Sequence, residues 1–118
     1  MKKIIFYSYL RCSTCRKAAK WLKSKDFEFQ LIDIVKEPPL VNYLNLALDQ
    51  YSYDKKRIFN TRGKAFKTLN IDINCLSREE IIQLLLNDGK LIKRPFLIYE
   101  EKKVILGFKE IEYAKHFI

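Results

Sequence analysis

The chain has 118 residues, 48% of them hydrophobic and 31% charged, with only three glycines and three prolines. That balance suits one globular domain with a sizeable core, and it excludes collagen-like, low-complexity and disordered chains. Lys and Arg number 23 against 14 Asp and Glu, a net charge of +9, which favours anionic substrates, nucleic acid or an acidic protein partner without choosing among them.

The apolar run at residues 4–7 is too short for a signal peptide or a membrane span, so a cytoplasmic protein with no membrane association is expected. Thiols are kept reduced in that compartment, which makes the three cysteines catalytic or sensing rather than structural. The lysines are dispersed, no run of five like charges occurs, and no nucleic-acid motif is present. Direct nucleic-acid binding is therefore not expected.

Residues 4–9 read as a buried strand, because a short apolar run ends at a turn signal. Cys12-Ser13-Thr14-Cys15 follows, and residues 16–25 continue as a helix with Ala18, Ala19 and Leu22 on one stripe and Lys17, Lys20 and Lys23 opposite. Strand, CxxC, helix is a redox context. A cysteine at a helix start meets unpaired backbone N–H groups and the positive end of the helix dipole, and both favour thiolate. Arg11, Arg16 and Lys17 lie close in sequence and should act the same way. Cys12 is thus the candidate nucleophile, and Cys15, one helical turn on, the candidate resolving thiol for a Cys12–Cys15 disulfide. Half of a zinc site is the alternative; a metal would need about four ligands, and only Cys75 and His116 remain, not as a closely spaced pair. No metal is expected. Residues 27–34 alternate as a half-buried strand, which completes a βαβ unit.

Pro38-Pro39 breaks the chain, and Pro39 suits the start of a helix carrying Val41, Leu44, Ala47 and Leu48. Short helices are predicted at residues 54–59 and 64–69, either side of a turn at 60–63. Cys75 reads as a buried small residue. Ser77 and Glu80 form a capping box that opens a helix with Ile81, Leu84 and Leu85 inward, and Gly89 closes it in a left-handed conformation. Arg94-Pro95 precedes a strand at 96–99, a tight turn at 100–102 and a returning strand at 103–106. A final helix over 110–117 places Ile111, Ala114 and Phe117 on one face. The sum is an α/β fold with a four-stranded mixed sheet. Its βαβ and ββα halves (residues 1–37 and 91–118) are separated by a helical insertion (38–90) within one domain.

This order resembles the thioredoxin-fold family of glutaredoxin-coupled arsenate reductases and Spx-type transcription regulators. The motifs that carry the resemblance are Cys12-Ser13-Thr14-Cys15-Arg16-Lys17-Ala18, Asn60-Thr61-Arg62-Gly63-Lys64, Leu76-Ser77, Asp88-Gly89-Lys90-Leu91-Ile92-Lys93-Arg94-Pro95 and Leu106-Gly107-Phe108. In the reductases the first cysteine attacks arsenate, which matches Cys12, and an arginine before a cis proline binds the oxyanion, which matches Arg94 and Pro95. Two further anion-binding arginines of the reductases fall on Asn60 and Phe108, with Arg62 close enough to substitute for one. The resemblance implies no bound cofactor, an oxyanion or disulfide substrate, glutathione–glutaredoxin or thioredoxin as reductant, and a monomer. The regulators use CxxC as a disulfide switch and carry a Thr-Arg like Thr61-Arg62. They imply, as partner, the C-terminal domain of the RNA polymerase alpha subunit, although Asp54 stands where they have a contact glycine.

Overall fold

The computed structural model describes residues 3–117. Strand β1 (Ile4–Ser8) lies inside a four-stranded mixed sheet. It runs parallel to β2 (Gln30–Asp33) on one side and antiparallel to β3 (Phe96–Tyr99) on the other. Strand β4 (Lys103–Leu106) pairs antiparallel with β3 and completes the order β2-β1-β3-β4. Helix α1 (Ser13–Ser24) joins the parallel pair, and α5 (Glu110–Phe117) follows β4.

Between β2 and β3 the chain is helical: α2 (Val41–Gln50), a 3-10 turn at Lys55–Ile58, α3 (Lys64–Leu69), a second turn at Ile73–Cys75, and α4 (Arg78–Asn87). Successive strand residues point to opposite faces, so the sheet divides the core in two. Ile5, Tyr7, Phe96, Ile98 and Val104 pack under α2 and α4, against Leu44, Leu48, Ile81 and Leu85. Ile4, Phe6, Leu97 and Ile105 face α1 and α5, against Leu22, Trp21, Tyr113 and Phe117. Both faces are covered, which is why residues 4–7 of β1 and the whole of β3 form continuous apolar and aromatic runs rather than alternating.

Several local expectations are corrected. Helix α1 starts at Ser13, inside the CxxC, because Cys12 is extended and its carbonyl already accepts from the Arg16 amide. Strand β1 stops at Ser8 and β2 is shorter than the alternation suggested. Phe27 and Phe29 leave the ladder and pack on the α1–α5 side. The first insertion helix begins at Val41, past Pro39, and buries Tyr43 while Val41 is exposed. Residues 55–58 form a 3-10 turn rather than an α-helix. In α5 the buried face is Tyr113 and Phe117, and Ile111 is exposed.

The capping box of α4 forms as the spacing requires, with Ser77 and Glu80 each bonded to the other's backbone amide. Gly89 is not the left-handed terminator of that helix. It opens a 3-10 turn (Gly89–Leu91) and is buried against the backbone of Ile34, where a Cβ would overlap the Ile34 carbonyl. The residue is glycine for close approach, not for a left-handed φ. Gly107, by contrast, ends β4 at φ +70° and does need that freedom.

Candidate active site

Cys12 occupies the turn that leads from β1 into α1. Its amide donates to the Tyr9 carbonyl at 2.9 Å, the Arg16 amide donates to its carbonyl at 3.1 Å, and the Arg16 guanidinium donates to the Leu10 carbonyl at 2.6 Å. These bonds hold the cysteine, half-buried, at the N-cap of a helix whose first turn carries no acidic residue. The positive end of the helix is therefore not neutralised there. The side chain makes no standard capping bond, yet the Cys15 amide lies close enough to favour its thiolate.

Partial burial alone would raise the Cys12 pKa. It is outweighed by the Cys15 amide and thiol, and then by the Arg94 guanidinium acting as a charge and as a hydrogen-bond donor, so the thiol lies below its ordinary range. Cys15 is displaced the other way. It is 1% exposed, and burial foremost, with Cys12 beside it, pushes its pKa up to about 11 against hydrogen bonds from the Tyr9 amide and the Ser8 hydroxyl. One thiol is accessible and ionises readily; the other is buried and stays protonated.

The cation that acts on Cys12 is Arg94, not Arg11, Arg16 or Lys17, which are exposed. Arg16 is engaged with the Leu10 carbonyl instead. Arg94 is half-buried, with its guanidinium carbon 5.0 Å from the ring centroid of Tyr9, an arrangement that orients the fork. The Arg94–Pro95 peptide bond is cis, and the Pro95 carbonyl accepts from the Gly107 amide at 2.9 Å, which ties this segment to the end of β4. Cys12, Cys15 and Arg94 thus come together from opposite ends of the chain.

Arg62 does not join them. It is exposed on the wall of an adjoining groove of about 550 Å³, together with Asn60 and Phe108. Thr14, two residues past Cys12, and Lys93, next to Arg94, also line that groove. Thr14 and Lys93 lie within the motifs that carry the family resemblance, whereas Tyr9, Arg57 and Lys109 had no local signal that marks them as site residues. Cys75 is exposed, contrary to expectation, because Ile73 supplies the buried position of its 3-10 turn. Its sulfur lies 3.6 Å from Asp72 Oδ2, and that carboxylate's charge raises its pKa. Among the described residues no group of three or more His, Cys, Asp or Glu is placed to hold a metal ion, and no helix is long and apolar enough to cross a membrane.

Residues 7–116 match the model of the ArsC family. The chain belongs to the ArsC family. Among its ArsC-family relatives, the uncharacterized protein YusI of Bacillus subtilis is 38% identical over 97% of this chain and 98% of its own length. The global transcriptional regulator Spx of Lactiplantibacillus plantarum is 35% identical over 92% of this chain and 82% of its own. A solved structure described as a possible arsenate reductase from Streptococcus mutans UA159 superposes with a TM-score of 0.87 at 34% identity, over 97% of this chain and 98% of that one. The ArsC chain described here is similar to both the regulator and the possible arsenate reductase, and the thioredoxin-like mixed sheet expected from the motifs is the fold it shares with the latter.

Proposed function

We propose that this ArsC-family chain is a cytoplasmic thiol–disulfide oxidoreductase that works as a monomer without a bound cofactor. The observation that carries the reading is the placement of Cys12 at the uncompensated N-terminus of α1 beside Arg94, with Cys15 buried one turn on. The Cys12 thiolate attacks a substrate disulfide, forms a mixed disulfide and expels one substrate thiolate. Cys15 loses its proton and attacks the Cys12 sulfur, forming Cys12–Cys15 and releasing the second substrate thiol. The substrate gains two electrons and the pair loses two. Glutathione–glutaredoxin or thioredoxin then reduces the pair.

An oxyanion such as arsenate is a poorer substrate, because Asn60 and Phe108 stand where the reductases have arginines, and each lost charge-assisted contact weakens anion binding. Arg94 and Arg62 are the remaining candidates for that role. The test is a coupled assay with each reductant, offering arsenate and a small disulfide separately, on the parent and Cys12→Ser proteins. Disulfide turnover that survives in Cys12→Ser overturns the proposal; arsenate turnover faster than disulfide turnover overturns the substrate preference.

A second reading is favoured by the similarity to Spx and, at 33% identity, to the regulatory protein MgsR of Bacillus subtilis. In it the Cys12–Cys15 pair is a sensor whose oxidation alters the surface offered to the C-terminal domain of the RNA polymerase alpha subunit. Titration of that domain with reduced and oxidised protein separates the two readings: binding confined to one redox state, and lost in Cys12→Ser, supports the regulator.

A further inference from the structure

The groove beside Cys12 is strongly basic. Lys56, Arg57, Arg62, Lys93 and Lys109 line it, all exposed, and they outnumber its acidic lining residues, Asp54 and Glu112. Among the described residues the ion pairs are Lys3–Glu101 and Arg78–Asp49, so none of the five cations is paired with a carboxylate. Concentrating unpaired like charge in a concave site raises its attraction for anions. The volume of about 550 Å³ suits a short peptide segment or a molecule of similar size.

The groove adjoins the redox centre at two points of the chain. Thr14 lies in the first turn of α1 between Cys12 and Cys15, and Lys93 immediately precedes Arg94. Its lining is not purely polar: the half-buried Leu106 and Phe108 and the buried Phe59 contribute to it.

We propose that this groove binds an acidic polypeptide segment that also carries apolar residues, and presents the cysteine of that segment to Cys12. The proposal rests on the oxidoreductase reading for the last step only; binding in the groove does not require it. Charge complementarity selects the occupant. Asp54 and Glu112 would repel a continuous phosphate backbone, whereas a mixed peptide can place a cation against them. Leu106 and Phe108 offer contacts to apolar side chains that a sugar–phosphate chain lacks. In the redox step the Cys12 thiolate attacks a disulfide formed by the segment's cysteine. A Cys12–peptide disulfide forms and the other half of the original disulfide leaves as thiolate. Cys15 then attacks Cys12 and releases the peptide as a thiol.

The test separates binding from chemistry. Affinity is measured by fluorescence anisotropy on the Cys12→Ser protein with a short labelled peptide rich in glutamate and leucine, its glutamine counterpart, and a single-stranded oligonucleotide. The glutamate peptide should bind best and lose affinity as salt rises. The double variant Arg57→Glu/Lys109→Glu, made in the same background, should bind it about tenfold or more weaker, since it reverses two of the five charges that attract an anionic segment. Arg57→Gln, which adds no charge, should show a smaller loss in the same direction. Equal binding of the glutamine peptide, tighter binding of the oligonucleotide at the same salt, or unchanged affinity in the folded double variant overturns the proposal. With Cys12 restored, the glutamate peptide carrying a mixed disulfide should be reduced with a lower KM than a small neutral disulfide. Failure of all disulfide reduction with intact peptide affinity would overturn the oxidoreductase reading and leave the groove assignment standing.

Discussion

Cys12 and Cys15 sit one helical turn apart with their thiol pKa values displaced in opposite directions, Cys12 below the ordinary range and Cys15 up to about 11. Alkylation of the reduced protein should therefore label Cys12 first at neutral pH. Cys15 should remain unlabelled until the pH approaches 11 or the protein unfolds. Peptide mapping by mass spectrometry after timed labelling reads the order. Labelling of Cys75 ahead of Cys12 would contradict the assignment, because Asp72 raises the Cys75 pKa.

Arg94 is the cation that reaches Cys12. Arg94→Ala should raise the Cys12 pKa and slow its alkylation at neutral pH several-fold, because the cation that favours the thiolate is gone. Arg94→Lys keeps a positive charge but loses the planar fork that lies over Tyr9, and should give an intermediate value. The measurement is the midpoint of the alkylation-rate profile against pH. An unchanged midpoint in Arg94→Ala would mean that the helix terminus and Cys15 alone set the thiolate.

The same buried thiol predicts alkaline instability. A folded-state pKa raised to about 11 for Cys15 means that the unfolded chain ionises first. Stability is full below the unfolded thiol's pKa, falls as pH rises through the interval, and the loss is complete at about 11. Tyr113, whose pKa burial also raises, adds a loss in the same direction at higher pH. Urea unfolding of a Cys15→Ala variant should show a shallower decline between pH 8 and 11 than the parent.

Gly89 and Gly63 give a matched pair of substitutions. Gly89→Ala would drive a methyl group into the Ile34 carbonyl, a backbone obstacle, and should destabilise by about 2–4 kcal/mol. Gly63→Ala meets the Asn60 side chain at 2.6 Å, and that side chain can rotate, so the cost should stay below about 1 kcal/mol. Chemical denaturation of both variants checks the difference. Equal costs would contradict the close approach of Gly89 to Ile34.

Gln50 covers the exposed edge of the sheet. Its side-chain amide accepts from the Val104 amide at 2.7 Å and donates to the Val104 carbonyl at 2.8 Å, so it substitutes for a neighbouring strand beside β4. Gln50→Leu should destabilise by about 1–3 kcal/mol, because both backbone groups are partly buried and lose their partners. Faster amide exchange at Val104 in that variant would be the local signature.

Patterns of short range were legible in the sequence: the apolar runs of β1 and β3, the Ser77–Glu80 capping box, the hairpin, and the CxxC at the start of a helix. Each depends on neighbours within a few residues, so composition and spacing alone determine it. The partner of Cys12 was legible only through the family resemblance, since Arg94 lies far away in the chain while Arg11, Arg16 and Lys17 lie nearby but are exposed, Arg16 being bonded to the Leu10 carbonyl. Tertiary packing also decided the role of Gly89, which touches Ile34 across the fold, and the exposure of Cys75, whose turn buries Ile73 instead. The basic groove was not legible as a unit, although Arg62 and Lys93 lie in the motifs that carry the resemblance. Its cations come from the first 3-10 turn, the turn before α3, the segment before β3 and the loop after β4; the bridge between Phe59 and Ile92 and the bond from the Gly107 amide to the Pro95 carbonyl bring those segments together. Electrostatic potential sums over space rather than along the chain, so that convergence is a property of the fold.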